Sequence, residues 1–125
     1  MINYRPRIAD QLLADLLDAC GCVLIEGSKW CGKTTTAEKI ANSVVYMADP
    51  AEGERNRQLA KATPNYLLQG DTPRLIDEWQ VVPTLWDAIR GEVDHRRALG
   101  QFIITGSAVP PQRDEIVHTG TGRIT

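Results

Sequence analysis

Gly27-Ser28-Lys29-Trp30-Cys31-Gly32-Lys33-Thr34 constrains the fold of this chain more than any other segment. It has the G-x-x-x-x-G-K-T spacing of a loop that curls round phosphate. The apolar run Cys22-Val23-Leu24-Ile25-Glu26 precedes it and a helix-forming stretch, Lys33 to Asn42, follows. A polyanion can be held by successive backbone N–H groups only where the chain turns tightly, and glycine permits that turn at no steric cost. The positive end of the following helix adds to the attraction. In such a loop Lys33 reaches the β- and γ-phosphates and the Thr34 hydroxyl ligates Mg²⁺. The nucleotide cradle is expected over Gly27 to Thr34, with Thr35 at its helical end. Lys29 is either a second positive charge near the phosphates or a solvated lysine, and Trp30 either covers the site or packs.

The rest of the chain suits one α/β domain spanning residues 1–125. Amphipathic spacing predicts a helix from Arg7 to Cys20, stopped by Gly21, with Ile8, Leu12, Leu16 and Leu13, Leu17, Cys20 recurring every three or four positions. After the loop come a strand at Val44–Met47, a charged surface helix from Ala51 to Lys61, and a short helix begun by Thr63 as N-cap and Pro64. Leu75-Ile76 reads as a third strand ending in Asp77-Glu78. Thr84 is expected to cap a helix carrying Leu85, Trp86, Ile89 and Val93, and Gln101–Thr105 is a fourth strand. Strands alternating with helical crossovers imply a parallel sheet covered on both faces, a three-layer α/β/α arrangement.

In a parallel sheet, ligands lie beyond the carboxyl ends of the strands, so Asp77 and Glu78 are expected beside the phosphate loop. The division of labour this chemistry requires gives Asp77 the Mg²⁺ and Glu78 the attacking water. Pro73 and Arg74 leave only Leu75 and Ile76 as an apolar run before the acids, which predicts a short strand. At the end of the fourth strand, Thr105 and Ser107 are candidates to sense the γ-phosphate or hold the nucleophilic water. Arg123 is a candidate arginine finger by residue type and position.

Composition narrows the alternatives. A formal net charge of -2 gives no overall attraction to nucleic acid or an anionic membrane, and no apolar run is long enough to span a bilayer. The three cysteines, Cys20, Cys22 and Cys31, lack a second ligand pair at zinc spacing, and reduced thiols in a cytoplasmic protein are expected. His95 and His118 lack partner spacing for metal or triad chemistry.

Gly27–Thr34, Ile76-Asp77-Glu78-Trp79-Gln80 and Phe102-Ile103-Ile104-Thr105-Gly106-Ser107-Ala108 resemble a prokaryotic family of AAA-type P-loop ATPases. Full-length members carry a winged-helix-like region and a C-terminal nuclease-like domain after the ATPase domain, so the resemblance covers only the N-terminal part of such a protein. It implies ATP and Mg²⁺ as ligands, with phosphate-loop, acidic-pair and strand-end roles for Lys33, Thr34, Asp77, Glu78 and Thr105 or Ser107. Gln80 matches the family pattern without an assigned role. The family's core has five strands in the order 5-1-4-3-2. With the fifth expected just past Gly122-Arg123 and the chain ending at Thr125, the expectation is a truncated domain lacking that strand. Cys22–Glu26 would then be an open edge, reducing stability and inviting self-association. A nucleotide-binding module with little turnover is the alternative such truncation favours. A nucleotide kinase is disfavoured by Glu78 and by the absence of an Arg-rich lid, and a GTPase by the absence of Asn-Lys-x-Asp.

Overall fold

A computed structural model describes residues 6–26, 33–106 and 121–124. Its elements run α1 (Pro6–Leu17), β1 (Cys22–Glu26), α2 (Lys33–Ile40), β2 (Ser43–Tyr46), α3 (Gly53–Ala62), α4 (Pro64–Leu67), β3 (Arg74–Asp77), a 3₁₀ turn (Trp79–Val81), α5 (Leu85–Arg96), β4 (Phe102–Gly106) and β5 (Thr121–Ile124). All strand pairs are parallel and the sheet order is β2-β3-β4-β1-β5.

Successive strand side chains point to opposite faces, and the two halves of the core follow that alternation. Leu13, Leu17, Val23, Ile25, Ala37, Leu75 and Ile103 form one layer, under α1 and α2. Cys22, Leu24, Val45, Ile76, Phe102 and Ile104 face the other way, against Leu67, Leu85, Trp86 and Ile89 of α4 and α5. Every residue of β1 and of β4 is buried. Near-continuous apolar runs of this kind are what central strands covered on both faces require. The three-layer α/β/α arrangement is thus present.

The expected absence of the fifth strand is overturned. Thr121, Gly122, Arg123 and Ile124 pair in register with Cys22, Val23, Leu24 and Ile25, so β1 is flanked on both sides. The strand begins two residues earlier than Arg123, in a Thr-Gly-Thr-Gly segment whose composition hides it. Backbone pairing, which needs no apolar side chain, makes the strand. The edges are β2 and β5, and the open edge expected at Cys22–Glu26 does not exist.

Smaller differences have local causes. Neither Thr63 nor Thr84 caps a helix with its hydroxyl. Thr84 is already helical, and the first N–H groups of α5 are taken by backbone carbonyls, Leu85 by Val82 and Trp86 by Pro83. Thr63 instead joins two helices, its N–H donating to Leu59 O and its C=O accepting from Tyr66 N. The expected surface helix, α3, buries Asn56 and Ala60. Its Asn56 Nδ2 donates to Tyr46 O at 2.8 Å and its Arg57 Nη1 to Met47 O at 3.0 Å, satisfying carbonyls where β2 ends. Leu12, expected on the packed face of α1, is 41% exposed. β3 starts at Arg74, whose guanidinium turns aside to Leu67 O and Ser43 Oγ, so the strand remains four residues long as its short apolar run implies.

Burial, with Cys20 close by, pushes the Cys22 thiol well above the usual range, whereas Cys20 is half-buried. Alkylation followed by mass spectrometry at pH 8 is expected to label Cys20 well before Cys22, since the thiolate is the reactive form. Deleting residues 121–125 should turn fully buried β1 into an edge. A lower melting temperature and concentration-dependent mass in light scattering are expected, and an unchanged monomer would contradict the pairing's importance.

Candidate functional site

The parallel sheet brings three chain reversals to one edge. β1 ends at Glu26, α2 starts at Lys33, β3 ends at Asp77 and β4 ends at Gly106. Because β4 lies between β1 and β3, its last residues are the bridge between the phosphate-loop strand and the acidic pair. Ile25 is in register with Thr105 and Glu26 with Gly106.

Two hydroxyls converge on one carboxylate oxygen there. Thr34 Oγ1, in the first turn of α2, donates to Asp77 Oδ1 at 2.9 Å. Thr105 Oγ1 donates to the same oxygen at 2.6 Å. The Thr105 hydroxyl also accepts from the backbone N–H of Glu78 at 3.0 Å. Three elements, α2, β3 and β4, are joined through a single atom. The 2.6 Å bond from Thr105 lies in the short range of a hydroxyl donating to a carboxylate, while the 2.9 Å bond from Thr34 is of ordinary length.

Glu78 occupies the left-handed region at φ 60, ψ 54. A non-glycine residue there costs on the order of 1–2 kcal/mol, and such strain persists where surrounding bonds over-determine it. The Thr105 hydroxyl is one such bond. The turn lifts the chain off β3 into the 3₁₀ turn and brings Gln80 back onto its neighbour but one: Gln80 Nε2 donates to Glu78 Oε1 at 2.7 Å. Trp79 is buried beneath, its ring centroid 5.6 Å from that of Trp86.

The sequence-predicted residues divide as follows. Thr34, Asp77, Glu78 and Thr105 are brought together at the sheet's carboxyl edge. Thr105 does not face outward as a strand-end sensor. It is fully buried, and its one hydroxyl proton is committed to Asp77. Lys33 opens α2, and Thr35 is exposed on its first turn. Arg123 lies on β5 in register with Leu24. Gly27, Ser28, Lys29, Trp30, Cys31, Gly32 and Ser107 lie outside the described residues. Two features escape sequence reasoning. Glu26, directly before the loop, is buried at 7% exposure, and Gln80 grips Glu78. The i, i+2 spacing of Glu78 and Gln80 says nothing by itself about a bond between their side chains, because the chain leaves the strand at Glu78 and enters a 3₁₀ turn.

A parallel five-stranded sheet in this order, wrapped by helices on both faces and opening a helix with Lys33-Thr34 opposite Asp77, defines an α/β fold of the P-loop NTPase type. A family model described as an AAA domain matches residues 21–125, and the chain belongs to that family. Membership supports a nucleotide-binding, ATPase-like role. No curated protein matches the chain. No helix among the described residues is long and apolar enough to cross a membrane.

Thr105→Val keeps the shape but removes the acceptor of the half-buried Glu78 N–H and one of the two hydroxyl donors to Asp77, leaving only Thr34. The loss expected is about 2–3 kcal/mol of folding stability, read from the urea midpoint. A change below about 0.5 kcal/mol would mean the hydroxyl is not holding the two acids.

Proposed function

We infer that this domain binds ATP and hydrolyses it with Mg²⁺, coupling turnover to a conformational change. The observation that carries the reading is the Thr34 Oγ1 to Asp77 Oδ1 bond of 2.9 Å. It joins the hydroxyl that ends the phosphate loop to the acid at the end of β3, the two protein oxygens a loop of this kind offers to Mg²⁺. A carboxylate and a hydroxyl are hard oxygen donors, and few of them suffice because Mg²⁺ keeps waters and phosphate oxygens as its other ligands. The residues present therefore fit that ion, which when bound neutralises charge developing on the β- and γ-phosphate oxygens.

The remaining roles belong to the chain's own residues. Backbone N–H groups of Gly27 to Thr34, with Lys33, bind the triphosphate. Glu78 accepts a proton from the attacking water as general base. Thr105 fixes the direction of both acids, one through its side chain and one through its backbone. Ser107, just past β4, is the strand-end hydroxyl that remains for contact with the γ-phosphate or water. Arg123 on β5 is the candidate for stabilising transition-state charge, in cis or toward a second copy. The alternative of a binding module without turnover drew part of its support from a missing fifth strand, and β5 removes that part.

Calorimetric titration with ATP·Mg²⁺, paired with phosphate release, tests the reading. Wild-type protein is expected to bind and turn over. Lys33→Ala should lose binding. Glu78→Gln should keep binding and lose about 100-fold or more in kcat, as for other general bases. Binding without phosphate release in the wild type sinks hydrolysis and leaves the module.

A further inference from the structure

Resting on the ATPase reading, we propose that Gln80 is the positioning residue of Glu78, holding its carboxylate in place across the turn after β3. Gln80 Nε2 donates to Glu78 Oε1 at 2.7 Å. A carboxylate only accepts, so the amide must present its nitrogen to Glu78 and its oxygen away. That oxygen is buried and has no hydrogen-bond partner among the described residues. The arrangement therefore sacrifices an acceptor in order to aim the donor, which is a cost a purely structural glutamine would avoid by turning outward.

Gly106 supplies an independent observation. A Cβ at this position would stand 3.0 Å from Gln80 Oε1 and 3.0 Å from Trp79 Nε1. The bare glycine at the end of β4 is the space into which the Gln80 amide fits. The same strand end thus fixes Glu78 twice. Thr105 holds its backbone N–H, and Gly106 admits the side chain that holds its carboxylate. With one carboxylate oxygen engaged by Gln80, the direction of the other is set before water arrives. Preorganisation of this kind acts on the chemical step and not on nucleotide affinity.

The experiment is a double-mutant cycle on the full chain, using Gln80→Met, Glu78→Gln and the pair, with ATP·Mg²⁺ affinity and phosphate release both measured. Gln80→Met should lower kcat about tenfold with affinity unchanged, and in the Glu78→Gln background it should have no further effect on kcat. Gln80→Glu, which keeps the volume but replaces the donor with a second carboxylate, should lower kcat at least as far with little change in melting temperature. A wild-type rate in both variants, or equal losses with and without Glu78, overturns the proposal while the ATPase reading stands. A wild-type protein that binds but never releases phosphate overturns both. Independently of turnover, the Gln80 side-chain amide resonances should move and exchange faster in Glu78→Ala. No change there overturns the contact itself.

Discussion

Asp77 Oδ1 is the atom on which the rest of the site depends. It receives a hydroxyl from α2 and another from β4, and the second hydroxyl in turn receives the backbone N–H of Glu78. Each element reaches this point from a different part of the chain, so the bond set is long-range in sequence and local in space. It ties the helix after the phosphate loop to the acidic strand, whereas the strand before that loop, β1, and β3 are not neighbours in the sheet. The strand between them, β4, is fully buried and contributes the hydroxyl that spans the gap.

The layers beneath explain why this point is rigid. Leu24, Phe102, Ile104 and Ile76 pack on one side of the sheet, and Val23, Ile25, Ile103 and Leu75 on the other. A strand held on both faces and both edges cannot slide, because a one-residue slip would exchange its two faces. Small displacements at the sheet's carboxyl edge are therefore resisted by the whole core. This rigidity is what allows Glu78 to be kept in a left-handed conformation that the local chain would not choose.

Much of this was legible in the residues and some was not, for separable physical reasons. The phosphate loop, β1, β4 and α5 announce themselves because glycine spacing and apolar periodicity are local signals. The meeting of Thr34 with Asp77 follows from strand order alone, given a parallel sheet. The fifth strand was missed because Thr121-Gly122-Arg123-Ile124 earns its place through backbone pairing to β1, and no local pattern reports such pairing. Thr63 and Thr84 look like caps, but neighbouring carbonyls take the N–H groups a cap would serve. Thr105 reads as an outward strand end until its burial is seen, and Gln80 has no visible task until Glu78 is known to turn.

The position of β5 changes what the phosphate loop rests on. On the proposed reading this loop holds a polyanion with backbone N–H groups, which favours having its two ends fixed. One end is the close of β1, now flanked by β4 and β5. The other is the start of α2, tied to β3 through Thr34. An edge strand at β1 would have left one of these ends free to fray. Pairing on both sides makes the anchor symmetrical, and it also brings Arg123 onto the strand next to the loop. The short fifth strand thus completes the pairing of the strand that leads into the proposed phosphate loop.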